Sequence, residues 1–423
     1  MNIFLTLILA GLTMVGPLAI DTYLPSFPAI ATAFNASPIM VQQTLSAFLF
    51  TFAFMMLFYG TLSDSFGRRP VLLVSLAVYI AASVGAALAP SFGALLACRV
   101  LQGLAAGAGS VISRAIVQDR FKGSEAQKIL SQIMMVFGLA PAIAPILGGW
   151  LQVSFGWRSV FWFLAGFGAL MFIVVHRYLP ESLPRRHPFQ WKAIATNYWK
   201  VLCHRQFLLL SVAIGTTFGG FALYIGSAAY FIINILHLPE TAFGWLFIPL
   251  ISGMMIGSAL AGKFAHRYRQ TSLVWAGYGL MLVAALANIA YNMVFAAEVP
   301  WAVLPLFLYS FALSIAMPPM TLIALNHFPD NSGLASSMQS FIQMLLFALV
   351  SGLVAPLLFD SALKLAWGVM AGLLISAVCW VRVRIEAGST DSGRTSSSNS
   401  SNSSNSSNSS NSSNSSNSNN ATG

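Results

Sequence analysis

The chain reads as a series of long apolar runs separated by short polar breaks. The runs cover 3–25, 40–62, 70–90, 93–117, 129–153, 158–178, 207–236, 242–264, 271–293, 300–325, 333–358 and 363–383. A helix rises ~1.5 Å per residue and the hydrocarbon core of a bilayer is ~30 Å thick, so ~20 apolar residues can cross it. The pattern therefore predicts an all-α membrane protein of twelve transmembrane helices, numbered 1 to 12 in chain order. The longest break, 179–206, falls between helices 6 and 7. It divides the chain into an N-terminal six-helix half (1–178), a linker (179–206) and a C-terminal six-helix half (207–386). Within the linker, Trp191–Trp199 has the make-up of an amphipathic helix lying at a membrane surface. From Ser396 to Asn420 every residue is Ser or Asn. Such a segment has nothing to bury, and 387–423 reads as a disordered tail.

Composition sharpens this picture. Charged residues make up only 8% of the chain and apolar ones 57%, whereas a soluble domain carries about 25% charged residues. One large soluble enzyme is excluded. Three dispersed cysteines, Cys98, Cys203 and Cys379, give neither a disulfide scaffold nor a zinc spacing. The net charge of +10 could signal nucleic acid, but its placement says otherwise. Sixteen Lys and Arg, from Arg68 and Arg69 to Arg382 and Arg384, fall in the breaks after helices 2, 4, 6, 8 and 12. The opposite side holds only Arg158 and Lys364. Basic loops stay in the cytoplasm, so both termini are expected there. No nucleic-acid motif is present, and no nucleic-acid partner is expected.

Against that background a few residues stand out. Asp21 is the one acid deep within an apolar run. A charge there costs at least ~2.5–3.5 kcal/mol, so its proton affinity must respond to its surroundings, as a proton carrier requires. The alternative is a carboxylate that caps structure before Pro25. On helix 4, Arg99, Gly103, Ala106, Ser110 and Arg114 recur at three- or four-residue steps and share one face. Between helices 2 and 3 lies Gly60-Thr-Leu-Ser-Asp64-Ser-Phe-Gly67-Arg68-Arg69-Pro70. On helix 5, Gly138, Pro141, Pro145, Gly148 and Gly149 combine helix-bending prolines with small contact surfaces. No H-E-x-x-H, embedded Ser/His pair or phosphate-binding loop appears, which leaves an intramembrane enzyme or ATP-driven pump without support. A passive channel or sensor is a further alternative.

The loop after helix 2 resembles the cytoplasmic signature of the major facilitator superfamily, and Leu260-Ala-Gly-Lys263-Phe-Ala-His-Arg267 is its decayed echo in the second half. Arg99-Val-Leu-Gln102-Gly103 matches that superfamily's R-x-x-Q-G. The helix 5 sequence Gly138-Leu-Ala-Pro141-Ala-Ile-Ala144-Pro145-Ile-Leu-Gly148-Gly149 is similar to its antiporter signature, with Ala140 and Ala144 standing for glycine. Together with Asp21-Thr-Tyr23-Leu-Pro25, Arg114-Ala-Ile-Val-Gln-Asp119 and Gly156-Trp157-Arg158, the first half looks like the Bcr/CflA-type multidrug transporters. The second half matches weakly, through Tyr224-Ile225.

The resemblance implies a proton-coupled exporter of small amphipathic compounds in a bacterial inner membrane. It would be a monomer in the bilayer with no cofactor, the proton being the coupling ion. An importer or metabolite exporter of the same fold is the alternative. The resemblance also places Asp21 and Arg99 as proton-coupling partners. Tyr23, Gln102, Tyr224, Gln339 and Gln343 are expected substrate contacts, although each could instead bond two helices together. Gly60, Asp64, Gly67, Arg68, Arg69, Arg114, Pro141, Pro145, Gly148 and Gly149 are expected to gate the conformational change. Arg114 is expected to act as a clamp on Asp64 or Asp119.

Overall fold

The computed structural model describes residues 3–183, 191–264, 267–328 and 332–405. Among these residues every regular element is helical. Twelve helices are long and apolar enough to cross a membrane: helix 1, Phe4–Phe34; helix 2, Pro38–Phe66; helix 3, Arg68–Ala87; helix 4, Phe92–Arg120; helix 5, Lys128–Phe155; helix 6, Arg158–Tyr178; helix 7, Arg205–Gly226; helix 8, Gly244–Phe264; helix 9, Gln270–Val294; helix 10, Leu304–Leu325; helix 11, Gly333–Leu358; helix 12, Ala362–Glu386. Their outer surface carries large apolar side chains such as Phe50, Val74, Trp162, Leu286 and Leu374. That surface suits hydrocarbon and not water.

The two halves repeat one packing scheme. In the first, helix 3 packs on 6, 2 on 4, 3 on 4 and 1 on 5. In the second, helix 9 packs on 12, 8 on 10, 9 on 10 and 7 on 11. The halves meet through helix 2 on helix 11 and helix 5 on helix 8, two contacts related by the same repeat. The basic end of the bundle carries Arg68, Arg69, Arg120 and the linker. The inter-half contacts described below concentrate at the opposite end.

Several helices depart from the apolar runs in instructive ways. Helix 1 breaks: its first α-helical piece is Ile3–Asp21, a 3-10 turn spans Leu24–Ser26, and a second piece runs Phe27–Phe34. Pro25 and Pro28 sit in the first turns of the new pieces, where a missing N–H costs nothing. The break puts a helix C-terminus, with unspent carbonyls, inside a membrane span. Helix 11 contains a π turn, Val350–Val354. Helix 5 is one helix, Gly123–Phe155, through both Pro141 and Pro145. The final helix runs Ala362–Asn405, so its backbone continues into the segment that composition reads as disordered. Residues 406–423 lie outside the described residues.

The linker begins on the protein surface. Arg185 and Arg186 lie outside the described residues, and a helix then spans Trp191–Leu202. Its Tyr198 hydroxyl donates to the Leu57 carbonyl of helix 2 at 2.7 Å, and the same helix packs on helix 11, so the linker touches both halves.

Candidate functional site

Asp21 ends the first piece of helix 1 and is 3% exposed. Its Oδ1 has no hydrogen-bond partner among the described residues. Arg99 is fully buried at the same depth: its Nη1 donates to the Ala19 carbonyl at 3.2 Å and to Gln102 Oε1 at 2.9 Å. A cation at the C-terminal end of a helix satisfies both an unspent carbonyl and the helix dipole. The guanidinium lies 4.4 Å from the ring centres of both Tyr23 and Phe48. Each ring face contributes about 2 kcal/mol when water is excluded. Two of them offset the ~2.5–3.5 kcal/mol cost of inserting the charge. Its Nε and Nη2 are buried without a hydrogen-bond partner among the described residues, so the guanidinium keeps unspent donors. Asp21 and Arg99 form no ion pair in this arrangement; the backbone of Ala19, Gln102 and two aromatic faces contact the cation.

The neighbours of this pair are bonded inward. Gln102 donates to Ser83 Oγ at 2.8 Å, and Ser83 donates to the Tyr79 carbonyl. The Tyr23 hydroxyl lies 2.7 Å from Thr44 Oγ1, whose own proton goes to the Val41 carbonyl, so Tyr23 donates. Tyr23 and Gln102 are both fully buried. They form the wall that positions Arg99, and neither borders open space as a substrate contact would. Tyr224 is similar in the second half: it is 1% exposed, accepts from Asn288 Nδ2 at 3.0 Å and packs on Phe231. Gln339 donates to Thr321 at 3.0 Å and keeps a buried, unpartnered Oε1. Gln343 is half-buried beside Gly215 of helix 7. Of the five expected contacts, Gln339 and Gln343 alone retain polar capacity where helices 7, 10 and 11 converge.

At the basic end, Arg68 is the hub. It pairs with Asp64 at 2.5 Å and with Asp119 at 3.1 Å, and it donates to Ser63 Oγ at 2.6 Å. Both acids expected to hold Arg114 are thus taken by Arg68. Arg114 is exposed and makes no ion pair among the described residues. Glu181, at the start of the linker, accepts from the backbone N–H groups of Arg68 and Arg69 and caps helix 3. Burial alone would raise its carboxyl, but bonds from the Leu183, Arg68, Arg69 and Ser182 amides outweigh that and hold it below the usual carboxylate range. Gly67 makes this possible. Its φ of 105° suits glycine, and a Cβ there would strike Glu181 Oε2. Arg69 Nη2 donates to the His176 carbonyl at 2.6 Å, which fastens helix 3 to the end of helix 6. Gly60 faces open space, so close packing does not explain it.

The family model of the Major Facilitator Superfamily matches residues 9–351. The chain belongs to the major facilitator superfamily. This facilitator is 29% identical over 376 residues to a bicyclomycin resistance protein homolog of Haemophilus influenzae, covering 88% of this chain and 94% of that one. It is 27% identical over 382 residues to multidrug resistance protein D of Escherichia coli, covering 90% and 95%. It is 32% identical over 356 residues to an uncharacterized MFS-type transporter of Bacillus subtilis, covering 83% and 88%. These relatives bear out the Bcr/CflA-type resemblance. Among solved structures, a D-xylose-proton symporter superposes with a TM-score of 0.68 over 90% of this chain and 98% of its own, at 16% identity. The human organic anion transporter MFSD10 does so at 0.64 over 88% and 98%, at 19% identity. At that identity they show the fold alone.

The antiporter-like helix of this facilitator lies where the halves meet. A Cβ on Gly148 would fall on the Thr22 carbonyl, next to Asp21, and one on Gly149 would fall on the Glu240 carbonyl of the other half. Gln152 bonds the Glu240 carboxyl; burial pushes that group up and the Gln152 bond partly restrains it. Pro145 is buried and Pro141 half-buried on the same helix.

Four functional-looking residues lie outside the expected set. Gln42 and Gln43 of helix 2 bond helix 11, Glu240 meets helix 5, and Glu181 caps helix 3. The sequence did carry signals for them. Two adjacent amides open an apolar helix, and an acid follows Leu179-Pro180. The bonding partners of both are remote in sequence.

Proposed function

We propose that this facilitator exports small amphipathic compounds, antibiotics among them, across a bacterial inner membrane in exchange for protons. Both termini and the basic loops would face the cytoplasm, following the distribution of Lys and Arg. The relatives named for resistance to bicyclomycin and chloramphenicol support the substrate class. The twelve-helix fold in two equivalent halves supports alternating access about a midplane site.

The observation that carries proton coupling is the state of Asp21. It lies within a membrane span, is buried, and is joined to neither Arg99 nor a donor. A buried carboxylate without a partner is costly, so this closed arrangement suits the proton-loaded carboxyl. Release of the proton inward would leave a carboxylate without a partner, and the cost of that buried charge would favour a second arrangement of the helix 1 break, in which Asp21 gains water or a cation. Arg99 then serves as the fixed positive field against which Asp21 titrates. Gln343, half-buried beside helix 7, is the side chain proposed to meet substrate in this arrangement, and the buried, unpartnered Oε1 of Gln339 would join it only once the helices part. One proton crossing 100 mV supplies ~2.3 kcal/mol, and a tenfold proton gradient adds ~1.4 kcal/mol. Together they sustain a gradient of a neutral compound on the order of 500-fold.

A drug-susceptibility panel in a pump-depleted host tests this reading. Wild type is expected to protect against at least one amphipathic antibiotic. The Asp21→Asn variant is expected to insert normally and protect against none. Full protection by Asp21→Asn contradicts the coupling role, and failure of wild type across the panel contradicts the substrate class.

A further inference from the structure

At the end opposite the basic loops, two adjacent glutamines of one half bond two adjacent carbonyls of the other. Gln42 Nε2 donates to the Ser351 carbonyl at 2.9 Å and to Ser351 Oγ at 2.8 Å. Gln43 Nε2 donates to the Gly352 carbonyl at 2.7 Å. Backbone carbonyls in mid-helix normally have no capacity to spare, since each is bonded to the N–H four residues on. These two are free for separate reasons. The π turn sends the Ala355 N–H to Val350, five residues back, and so releases Ser351. The residue four beyond Gly352 is Pro356, which has no N–H to give. Helix 11 thus presents two unspent acceptors side by side, facing helix 2. Gly352 lets helices 2 and 11 close, because a Cβ there would strike Ser46. Gly226 of helix 7 presses on Ser351 from behind. Gln42 and Ser351 are both buried.

We propose that Gln42 and Gln43, with the π turn and Pro356, form the outer latch of the transport cycle, which must part for cargo to leave. The proposal rests on the alternating-access reading. The latch contains no ionisable group, so its bonds do not themselves titrate, and the charge of Asp21 acts on closure only through the packing of helix 1. Its strength is set by how many helix 11 carbonyls remain unspent. Restoring an N–H at position 356 would give Gly352 an internal partner and weaken the latch, although it completes the helix.

The test uses the full chain with Cys98, Cys203 and Cys379 replaced by serine and a Ser46→Cys reporter. Ser46 lies beneath the latch at 8% exposure. A membrane-impermeant maleimide is applied to intact cells. The Gln42→Leu/Gln43→Leu variant is expected to label about tenfold faster, equivalent to ~1.4 kcal/mol of lost closure. Pro356→Ala is expected to label several-fold faster while melting no lower, which a merely structural contact would not do. Unchanged labelling in both variants overturns the proposal. In a Gln42→Cys/Ser351→Cys pair joined by a short reducible linker, chloramphenicol export should stop and return on reduction; export that continues through the linker overturns it. The labelling rates read the latch whether or not any compound is transported, so failure of the efflux reading is told apart from failure of the latch.

Discussion

Arg99 is a buried cation held by a helix end and two ring faces, while the nearby carboxyl of Asp21 stands alone. This separation gives each residue a different expected phenotype. Arg99→Ala removes the ring contacts together with the burial cost they offset, so its net effect is the orphaning of the Ala19 carbonyl and Gln102 Oε1, about 1–3 kcal/mol per buried acceptor, seen as a lower melting temperature in detergent. Arg99→Lys keeps the charge but loses the planar contact with Tyr23 and Phe48 and should fall between the two. Asp21→Asn removes no bond, so its melting temperature should match wild type while coupling is lost. An unstable Asp21→Asn protein would show that the carboxyl has a structural partner after all. Asp21 and Arg99 were legible in the sequence because charges are rare in apolar runs. The absence of their ion pair was not, because it depends on where the Ala19 carbonyl and the Phe48 ring come to rest. Tyr23 and Gln102 looked like substrate contacts for the same reason: polarity within a span is visible in sequence, but the direction it faces is not.

Among the elements, helix boundaries followed the apolar runs closely. The departures are backbone irregularities that composition does not encode: the break in helix 1, the interruption of helix 4 at Gly107, the end of helix 7 at Gly226 followed by a π turn at Phe231–Ile235, and the π turn in helix 11. Proline marks the sites in helices 1 and 11 but not those in helices 4 and 7, and Pro141 and Pro145 mark no break in helix 5. A proline is therefore a weak guide to interruption within a membrane bundle, where neighbours compensate for the lost bond. Helix 5 yields a direct prediction. Gly148→Val should drive a side chain into the Thr22 backbone and disturb the turn beside Asp21, abolishing transport with normal membrane insertion. Retained export would show that this close approach is dispensable. The helix 3 cap yields another. Glu181 is held below its ordinary value, so it stabilises the ionised cap above about pH 4.3. That contribution is lost as pH falls through the depressed value. Wild type should therefore lose thermal stability below pH 4.3 more steeply than Glu181→Gln; equal slopes would show that the cap contributes nothing.

For the whole molecule, two equivalent halves meet through helix pairs 2–11 and 5–8, and the polar bonds between them gather at the end opposite the basic loops. The twelve helices could be read from spacing and charge, and the basic loop after helix 2 from its motif, but the hub fell to Arg68 where Arg114 was expected. The contacts that close the far end could not, since each joins residues about 90 to 310 positions apart by physical reach alone. The central claim is that Asp21 carries the proton that drives export. It is tested most directly with purified protein in liposomes, using chloramphenicol as cargo and an imposed tenfold proton gradient. Wild type should build a cargo gradient that collapses when a protonophore is added, and Asp21→Asn should only equilibrate the compound. A gradient of equal size in the Asp21→Asn protein, dissipated in the same way by protonophore, would contradict the account.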